Sequence, residues 1–330
     1  MSIATGHEEA LAELRGSDKL LLTTHENPDG DALGSLLAMH WILEQLGKDS
    51  RMFMSEEEFP LPWEYRLWTF EPVVGTPPVD VEERTIVFLD CGNIDRMPVD
   101  FLQADGLHIL NIDHHHDNTR FGTVNLVVPE ASCTAEIVWR LAKDLGAEVT
   151  PRIADALYTG LVTDTGKFMY ENTTSEAHRM AAELIEAGVD PHEVYRRLYE
   201  DLPFRRLQLL QRALAGVERQ DGGSMTVGHL TKQDYEETGG QENDSEGVVD
   251  QLRAVEGTAV AVLVRDLLAD DRQGLRKVSL RATDGRVDVS RIAREFGGGG
   301  HPQAAGFTTE LPYPELVETL REQVRAQLDA

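Results

Sequence analysis

Aspartate and histidine recur at the ends of the β-rich runs in the first half of this 330-residue chain. His25-Glu26-Asn27-Pro28-Asp29-Gly30-Asp31 follows the run Lys19–Thr24. Asp90 closes Thr85–Asp90, and Asp113-His114-His115-His116 closes Leu107–Asp113. Asp164, in Thr163-Asp164-Thr165-Gly166, stands just after a helical pattern. In open parallel sheets ligands bind outside the carboxyl ends of the strands, so residues far apart in sequence converge on one rim. Aspartate oxygens and imidazole nitrogens, with no cysteine among them, favour Mn²⁺ or Mg²⁺ over structural zinc, and the imidazoles tilt the choice toward Mn²⁺. His25, Asp29, Asp31, Asp90, His114 and Asp164 are more than one catalytic metal usually takes from protein. They suit two divalent ions about 3.5–4 Å apart that share a carboxylate and clamp the attacking and leaving oxygens in phosphoryl transfer. Taken singly, each has a plainer reading. Asp31 can be an N-cap, Pro28-Asp29-Gly30 a turn, and the histidine run an exposed polar turn. It is the convergence on one rim that favours a metal site.

A second motif lies near the far end of the chain. Gly297-Gly298-Gly299-Gly300-His301 follows a helical pattern, Val289–Phe296, and precedes a return toward Gly306-Phe307. Four glycines let a backbone approach a ligand and aim several N–H groups at one anion. A flexible linker is the alternative, but serine is absent and amphipathic structure flanks both sides. From Arg265 to Arg294 eight basic residues stand against five acids, a balance of +3 in a chain of net charge −27. Such a stretch suits one or two phosphates. Arg281, in a β-rich run near the loop, is the favoured contact.

These residues need elements to hold them. The first half alternates β-rich runs with helical patterns. Asp31–Leu46 carries Leu36, Met39, Leu43 and Leu46 on one stripe and stops at Gly47, and further helices are expected over Thr134–Leu145 and Ile153–Val162. The alternation predicts an α/β class with a mainly parallel sheet, covered on both faces and flanked by helices. From about Ser175 to Val217 the pattern is helical, broken at Gly188 and Pro203. A second, smaller α/β unit then shows strands at Met225–Leu230, Thr258–Arg265 and Leu275–Arg281 and a helix from about Pro314. Asp234–Glu246 reads as a solvated acidic loop or helix lead-in. The expected division is 1–187 for a metal-binding catalytic domain, 188–221 for a helical connector and 222–330 for a substrate-binding domain, starting at Asp221-Gly222-Gly223.

Composition narrows the function. Acids number 58 against 31 basic side chains, whereas a protein that holds long DNA or RNA by counterion release carries a net basic surface. The same charge argues against docking on anionic lipid. Cys91 and Cys133 are the two cysteines, too few for a disulfide framework or a four-cysteine zinc site. The beginning of the chain lacks the pattern of a secretory signal, and no apolar run approaches the roughly 20 residues of a membrane span. A cytoplasmic protein is expected. The aromatic group Phe59, Trp63, Tyr65, Trp68 and Phe70 reads better as packing over the sheet than as a base-stacking surface.

With these motifs in view the chain resembles the DHH family of phosphoesterases, in particular the bacterial subgroup that degrades very short RNA and dephosphorylates pAp. HENPDGDALGS, TIVFLDCG, NIDHHHDNTRFG, ASCTAEIV, GLVTDTGKF and KVSLRATDGRVDVSRIAREFGGGGHPQAAGF stand in the family's order from about Lys19 to Phe307. The resemblance implies that His25 and Asp29 hold one metal, that Asp31, His114 and Asp164 hold the other, and that Asp90 bridges them. It implies that Asp113 orients the histidine pair and that His115 faces the scissile phosphate. His116 extends the family's usual pair of histidines to three. Arg281, Gly297, Gly298, Gly299, Gly300 and His301 would grip the nucleotide end away from the metals. The implied activity is Mn²⁺-dependent hydrolysis of oligoribonucleotides of a few residues, linear dinucleotides such as pApA, and pAp, by in-line attack at phosphorus. A pyrophosphatase-like hydrolase and an inactive nucleotide-binding regulator are the alternatives. The glycine loop weighs against the first, and the complete ligand set against the second. Similar proteins suggest a homodimer, and neither a long polymer nor a membrane is an expected partner.

Overall fold

Continuous apolar runs such as Leu20–Leu22 and Ile86–Leu89 are stable as strands only inside a sheet covered on both faces. The computed structural model describes residues 6–329, apart from 67, 69, 71, 72, 98, 105, 201, 270, 271 and 284. The chain forms two units, residues 1–200 and 201–330. The segment 188–221, read from sequence as a connector, is shared between them and contributes elements to each.

The first unit contains α1 (His7–Gly16), β1 (Lys19–Thr23), α2 (Gly30–Gln45), β2 (Asp49–Phe53), β3 (Val73–Val74), β4 (Thr85–Leu89), β5 (Ile109–Asp113) and β6 (Val124–Val127). Four more helices follow, α3 (Thr134–Leu145), α4 (Pro151–Asp164), α5 (Ser175–Glu186) and α6 (Pro191–Tyr199). The strands make one sheet of order β3-β2-β1-β4-β5-β6, with every pairing parallel. Strands β4 and β5 are buried along their whole length. Period-two alternation divides their side chains. Leu20, Leu22, Val87, Leu89, Leu110 and Ile112 face a core shared with the helices. Leu21, Ile86, Phe88 and Ile109 face a smaller core closed by Met97, Leu102 and their neighbours. Both faces are therefore covered, but helices cover only one. Short 3₁₀ turns at Ile94–Arg96 and Asp100–Leu102 lie on the other.

Helix α2 is buried nearly all round because α4 lies directly against it. The contact is backbone-close. A Cβ on Gly34 would stand 2.3 Å from the Ala156 carbonyl oxygen, and one on Gly30 would collide with the side chain of Thr163. Gly30 meets Thr163 while Gly34 meets Ala156, so the two helices run antiparallel. The end of α4 is thereby placed beside the start of α2.

The second unit contains α7 (Phe204–Ala215), β7 (Glu218–Gln220), β8 (Met225–Leu230), α8 (Lys232–Thr238), α9 (Val248–Arg253) and β9 (Val260–Asp266). It continues with β10 (Arg276–Ala282), α10 (Val289–Glu295), β11 (Gly299–His301), β12 (Ala304–Thr309) and α11 (Tyr313–Leu328). Its sheet has the order β11-β12-β10-β9-β8-β7, and within it only β8 and β9 pair in parallel. Of the two readings of the acidic stretch Asp234–Glu246, the structure agrees with the helix lead-in rather than the solvated loop. Thr231 and Asp234 form a reciprocal capping box that starts α8, and a second box at Gln241 and Asp244 starts a 3₁₀ turn. Among the described residues no helix is long and apolar enough to cross a membrane.

Candidate functional site

The strand order reverses between β1 and β4. After β1 the chain moves outward to β2, and from β4 it moves the other way to β5 and β6. Such a switch point opens a crevice at the carboxyl ends of the two central strands. His25 lies just past β1 and Asp90 just past β4, one on each side of it. His114 lies just past β5, and the first turns of α2 and α3 face the same rim.

Asp90 is the centre of the cluster. Its backbone is left-handed, φ 59°, which Asp adopts more readily than most residues but still at a cost. Its two oxygens face different histidines. Oδ2 lies 3.6 Å from His25 Nε2, and Oδ1 lies 3.6 Å from His114 Nε2. His114 Nε2 is in turn 3.7 Å from Asp164 Oδ2. These spacings are too long for hydrogen bonds, but they match co-ligands of an ion with bonds of about 2.1 Å. Ligand atoms of His25, Asp29 and Asp90 fall within 4.8 Å of one another, as do those of Asp31, His114 and Asp164, and those of Asp90, His114 and His115.

The neighbours of these side chains leave the facing atoms available. His25 Nδ1 donates to the Glu26 carbonyl at 2.7 Å, which turns the Nε2 lone pair toward Asp90. Asp29 is the N-cap of α2, and its Oδ1 accepts from the Asp31 and Ala32 N–H groups at 3.0 and 3.1 Å. Capping and metal binding are thus compatible in this residue, because Oδ2 remains. Asp31 does not cap its own helix. It reaches the start of α3, where Oδ2 accepts from Thr134 N–H at 2.6 Å and Oδ1 from Ala135 N–H at 2.9 Å. The side chain at the N-cap of α3, Cys133, makes no cap bond of its own. Asp113 is fully buried and accepts from His115 Nδ1 at 2.7 Å and from Asn118 Nδ2 at 2.6 Å.

Burial and mutual charge act unevenly on the members of the cluster. Burial, together with the charges of Asp90, Asp164 and Asp29, raises the Asp31 carboxyl well above the usual range. Burial, with Asp29 and Asp90 opposing the pull of His114, raises Asp164 to about 7. Burial acts to raise Asp90 as well, but the contact with His25 and the charges of His115 and His114 outweigh it and hold it below the usual range. For His115, burial is outweighed by the Asp113 bond and the charge of Asp90, and its value is raised to about 9. Two of the crowded acids, Asp31 and Asp164, thus resist ionisation in the absence of a counter-charge, and a donor set of carboxylate oxygens and imidazoles fits a pair of divalent cations.

Several supporting residues escaped the sequence reading. Thr134 Oγ1 donates to Asp90 Oδ1 at 3.0 Å. Asn172 Nδ2 holds Asp164 through its Oδ2 at 3.0 Å and its carbonyl at 3.1 Å. Asn118 joins Asp113 to Asn111. Thr134 had a sequence signal, being a polar residue at the start of a helical pattern. Asn172 had none, since its partners lie in another part of the chain. His116 is exposed beyond the two facing histidines. The Cys91 thiol is buried, donates to the Asn93 carbonyl at 3.1 Å and is raised to about 12, so it behaves as a small packed side chain. Of the aromatic group, Tyr65, Phe70 and Trp68 join the core as the packing reading expects, whereas Phe59 is exposed.

In the second unit the glycine run is a turn followed by an edge strand. A Cβ on Gly298 would stand 2.2 Å from the Gly306 carbonyl oxygen, and one on Gly300 would stand 2.4 Å from that of Ala304. Two of the glycines are therefore required by the approach of β11 to β12. Cross-strand register pairs Arg281 with Ala304 and Ala304 with His301. Paired residues share a sheet face, so Arg281 and His301 stand on one face with the small residues Ala304, Gly306 and Gly299 between and beside them. Asp270, Asp271 and Asp284, three acids of the basic stretch, lie outside the described residues.

Comparison with known proteins gives the following. Residues 19–161 match the model of the DHH family, N-terminal domain, and residues 224–330 match that of the DHHA1 domain. A Thermus thermophilus protein named bifunctional oligoribonuclease and PAP phosphatase NrnA is 37% identical over 314 residues, covering 94% of this chain and 90% of its own. The crystal structure of an exopolyphosphatase-related protein from Bacteroides fragilis superposes with a TM-score of 0.84 at 25% identity, covering 99% of this chain and 98% of that one. RecJ from Thermus thermophilus, solved in complex with Mn²⁺, shares the fold with a TM-score of 0.55 at 15% identity, covering 99% of this chain and 54% of RecJ.

Proposed function

Because this chain belongs to the DHH family of phosphoesterases, we propose that it hydrolyses very short oligoribonucleotides and linear dinucleotides such as pApA to mononucleotides, and that it dephosphorylates pAp. The observation that carries the reading is the Asp90 carboxylate, which turns one oxygen to His25 and the other to His114 at equal distances. We assign His25 and Asp29 to one divalent cation, Asp31, His114 and Asp164 to the other, and Asp90 to both. Mn²⁺ is the preferred ion, because imidazole supplies part of the donor set. Cations bound there would acidify a water and offset charge on the phosphoryl oxygens.

The chain's own groups do the rest. Thr134 and the start of α3 hold Asp90 and Asp31 in place. Asn172 holds Asp164. Asp113 fixes the ring of His115, to which we assign contact with the scissile phosphate and stabilisation of its developing charge. On the second unit, the face bearing Arg281, Gly299 and His301 is assigned to the nucleotide end away from the cations. A chain of net charge −27 cannot gain affinity from many phosphates, which favours a substrate of few residues. We place the enzyme in the cytoplasm, where both of its cysteines stay unpaired.

The test is a side-by-side assay of the purified protein with Mn²⁺ against pApA, pAp, a five-residue RNA and pyrophosphate. Cleavage of pApA, abolished by Asp90→Ala in a variant with a native circular dichroism spectrum, is expected. Turnover of pyrophosphate at or above that of pApA would overturn the substrate class, and full activity of Asp90→Ala with Mn²⁺ would overturn the site.

A further inference from the structure

The segment between Asp164 and Asn172 is built at a conformational cost. Gly166, Lys167 and Phe168 are consecutive left-handed residues, with φ of 54°, 63° and 64°. A left-handed backbone costs an L-residue about 1–2 kcal/mol, and two of these three carry side chains. The turn is nevertheless tightly held. Lys167 N–H donates to the Val162 carbonyl at 2.8 Å, and the Met169 and Tyr170 N–H groups both donate to that of Thr165 at 3.0 Å. Phe168 is anchored by stacking on His178 at 5.0 Å and packing on Tyr158, and Lys167 lies 4.3 Å from the centre of the Tyr199 ring. Asn172 ties the far end back to Asp164.

This rigid turn presents two apolar side chains outward. Met169 is 81% exposed and Tyr170 46% exposed, whereas Phe168 between them and the core is packed. The Tyr170 ring lies over Gly166, where a Cβ would stand 2.5 Å from three of its carbons. The Tyr170 ring is thus held against Gly166, two residues past Asp164. A half-exposed aromatic ring and an exposed thioether, on the segment that runs from Asp164 to its partner Asn172, have the chemistry of a base-stacking platform.

We propose that Tyr170 and Met169 stack on a nucleobase adjoining the scissile phosphate, and so make the enzyme prefer nucleotide esters to simple phosphate esters. This rests on the activity proposed above. The left-handed turn is the device that points both side chains outward beside Asp164, where an ordinary helix would continue past it.

The experiment compares pApA with two analogues in which one or the other base is replaced by hydrogen, using the Mn²⁺-loaded full chain. In the wild type, loss of the stacked base should raise KM about ten- to a hundredfold. Tyr170→Ala and Met169→Ala should raise KM for pApA and reduce that preference toward one for the same base position, with kcat changing much less than KM. Tyr170→Phe, which keeps the ring, should recover most of the preference. Wild-type cleavage of pApA with an undiminished preference in both alanine variants would overturn this inference alone. Failure of the wild type to cleave pApA would overturn the underlying activity and this inference with it.

Discussion

Thr134→Val isolates one contact of the cluster. The Thr134 N–H donates to Asp31 and the Thr134 hydroxyl to Asp90 Oδ1 at 3.0 Å, both buried. Valine keeps the volume and the backbone bond and removes only the hydroxyl. A hydrogen bond to a charged acceptor is worth about 1.5–3 kcal/mol. Without it the Asp90 carboxylate can rotate toward the surrounding histidines and no longer offers one oxygen to each side. The loss should therefore fall on metal binding, and about 1.4–2.8 kcal/mol corresponds to the ten- to hundredfold loss in affinity usual for such outer partners. The assay is direct Mn²⁺ titration of the chelator-stripped protein, by calorimetry or by the electron-spin signal of free Mn²⁺. Thr134→Ser, which restores the donor, should bind nearly as the wild type does. A Thr134→Val protein that binds Mn²⁺ within twofold of the wild type would refute the orienting role of the hydroxyl.

Two further outcomes follow from the packing around the site. Gly160→Ala would place a Cβ 2.8 Å from Asp31 Oδ1 and 2.9 Å from the Ala135 Cβ, so either the acid or α4 must move. Overpacking of this kind costs about 1–3 kcal/mol, and both the urea midpoint and Mn²⁺ affinity should fall; wild-type values for both would contradict the contact. His40 is buried, its Nδ1 is 2.9 Å from Ser50 Oγ, and burial lowers its pKa below 6.5 despite the opposing charge of Glu44. The unfolded chain then takes up the proton first, so stability is complete above about pH 6.5 and is lost as pH falls toward the lowered value. His40→Gln should flatten the change in urea midpoint between pH 7.5 and 5.5, and an unchanged slope would show that His40 does not contribute to it.

Strands and helices with strong periodicity were legible from sequence alone. Thr134–Leu145 and Met225–Leu230 are observed with the bounds read from their patterns. Short or weakly apolar strands were not. Strand β2 is Asp-Ser-Arg-Met-Phe and β12 is Ala-Ala-Gly-Phe-Thr-Thr, and each is recognised as a strand only through its neighbour. For Asp234–Glu246 the sequence left a solvated loop and a helix lead-in both open, because composition counts the capping acids Asp234 and Asp244 only as charge.

For the site, residue type and position relative to a strand end were enough to nominate every candidate donor but Asp164, which was singled out at the end of a helical pattern. The ends of parallel strands share one rim whatever their order, and oxygen and imidazole donors select their metals by chemistry. Tertiary structure alone decided how those donors meet. The strand order sets His25 and Asp90 on opposite sides of the switch point. The antiparallel contact of α2 with α4, close enough to require Gly34 and Gly160, brings in Asp164 from a helix end that strand logic does not reach. Asp31 is turned toward the start of α3 rather than its own helix, and Arg281 and His301 share a face only through the register of β12. These are distances between segments remote in the chain, and they are set by packing, which leaves no periodic trace in the order of residues.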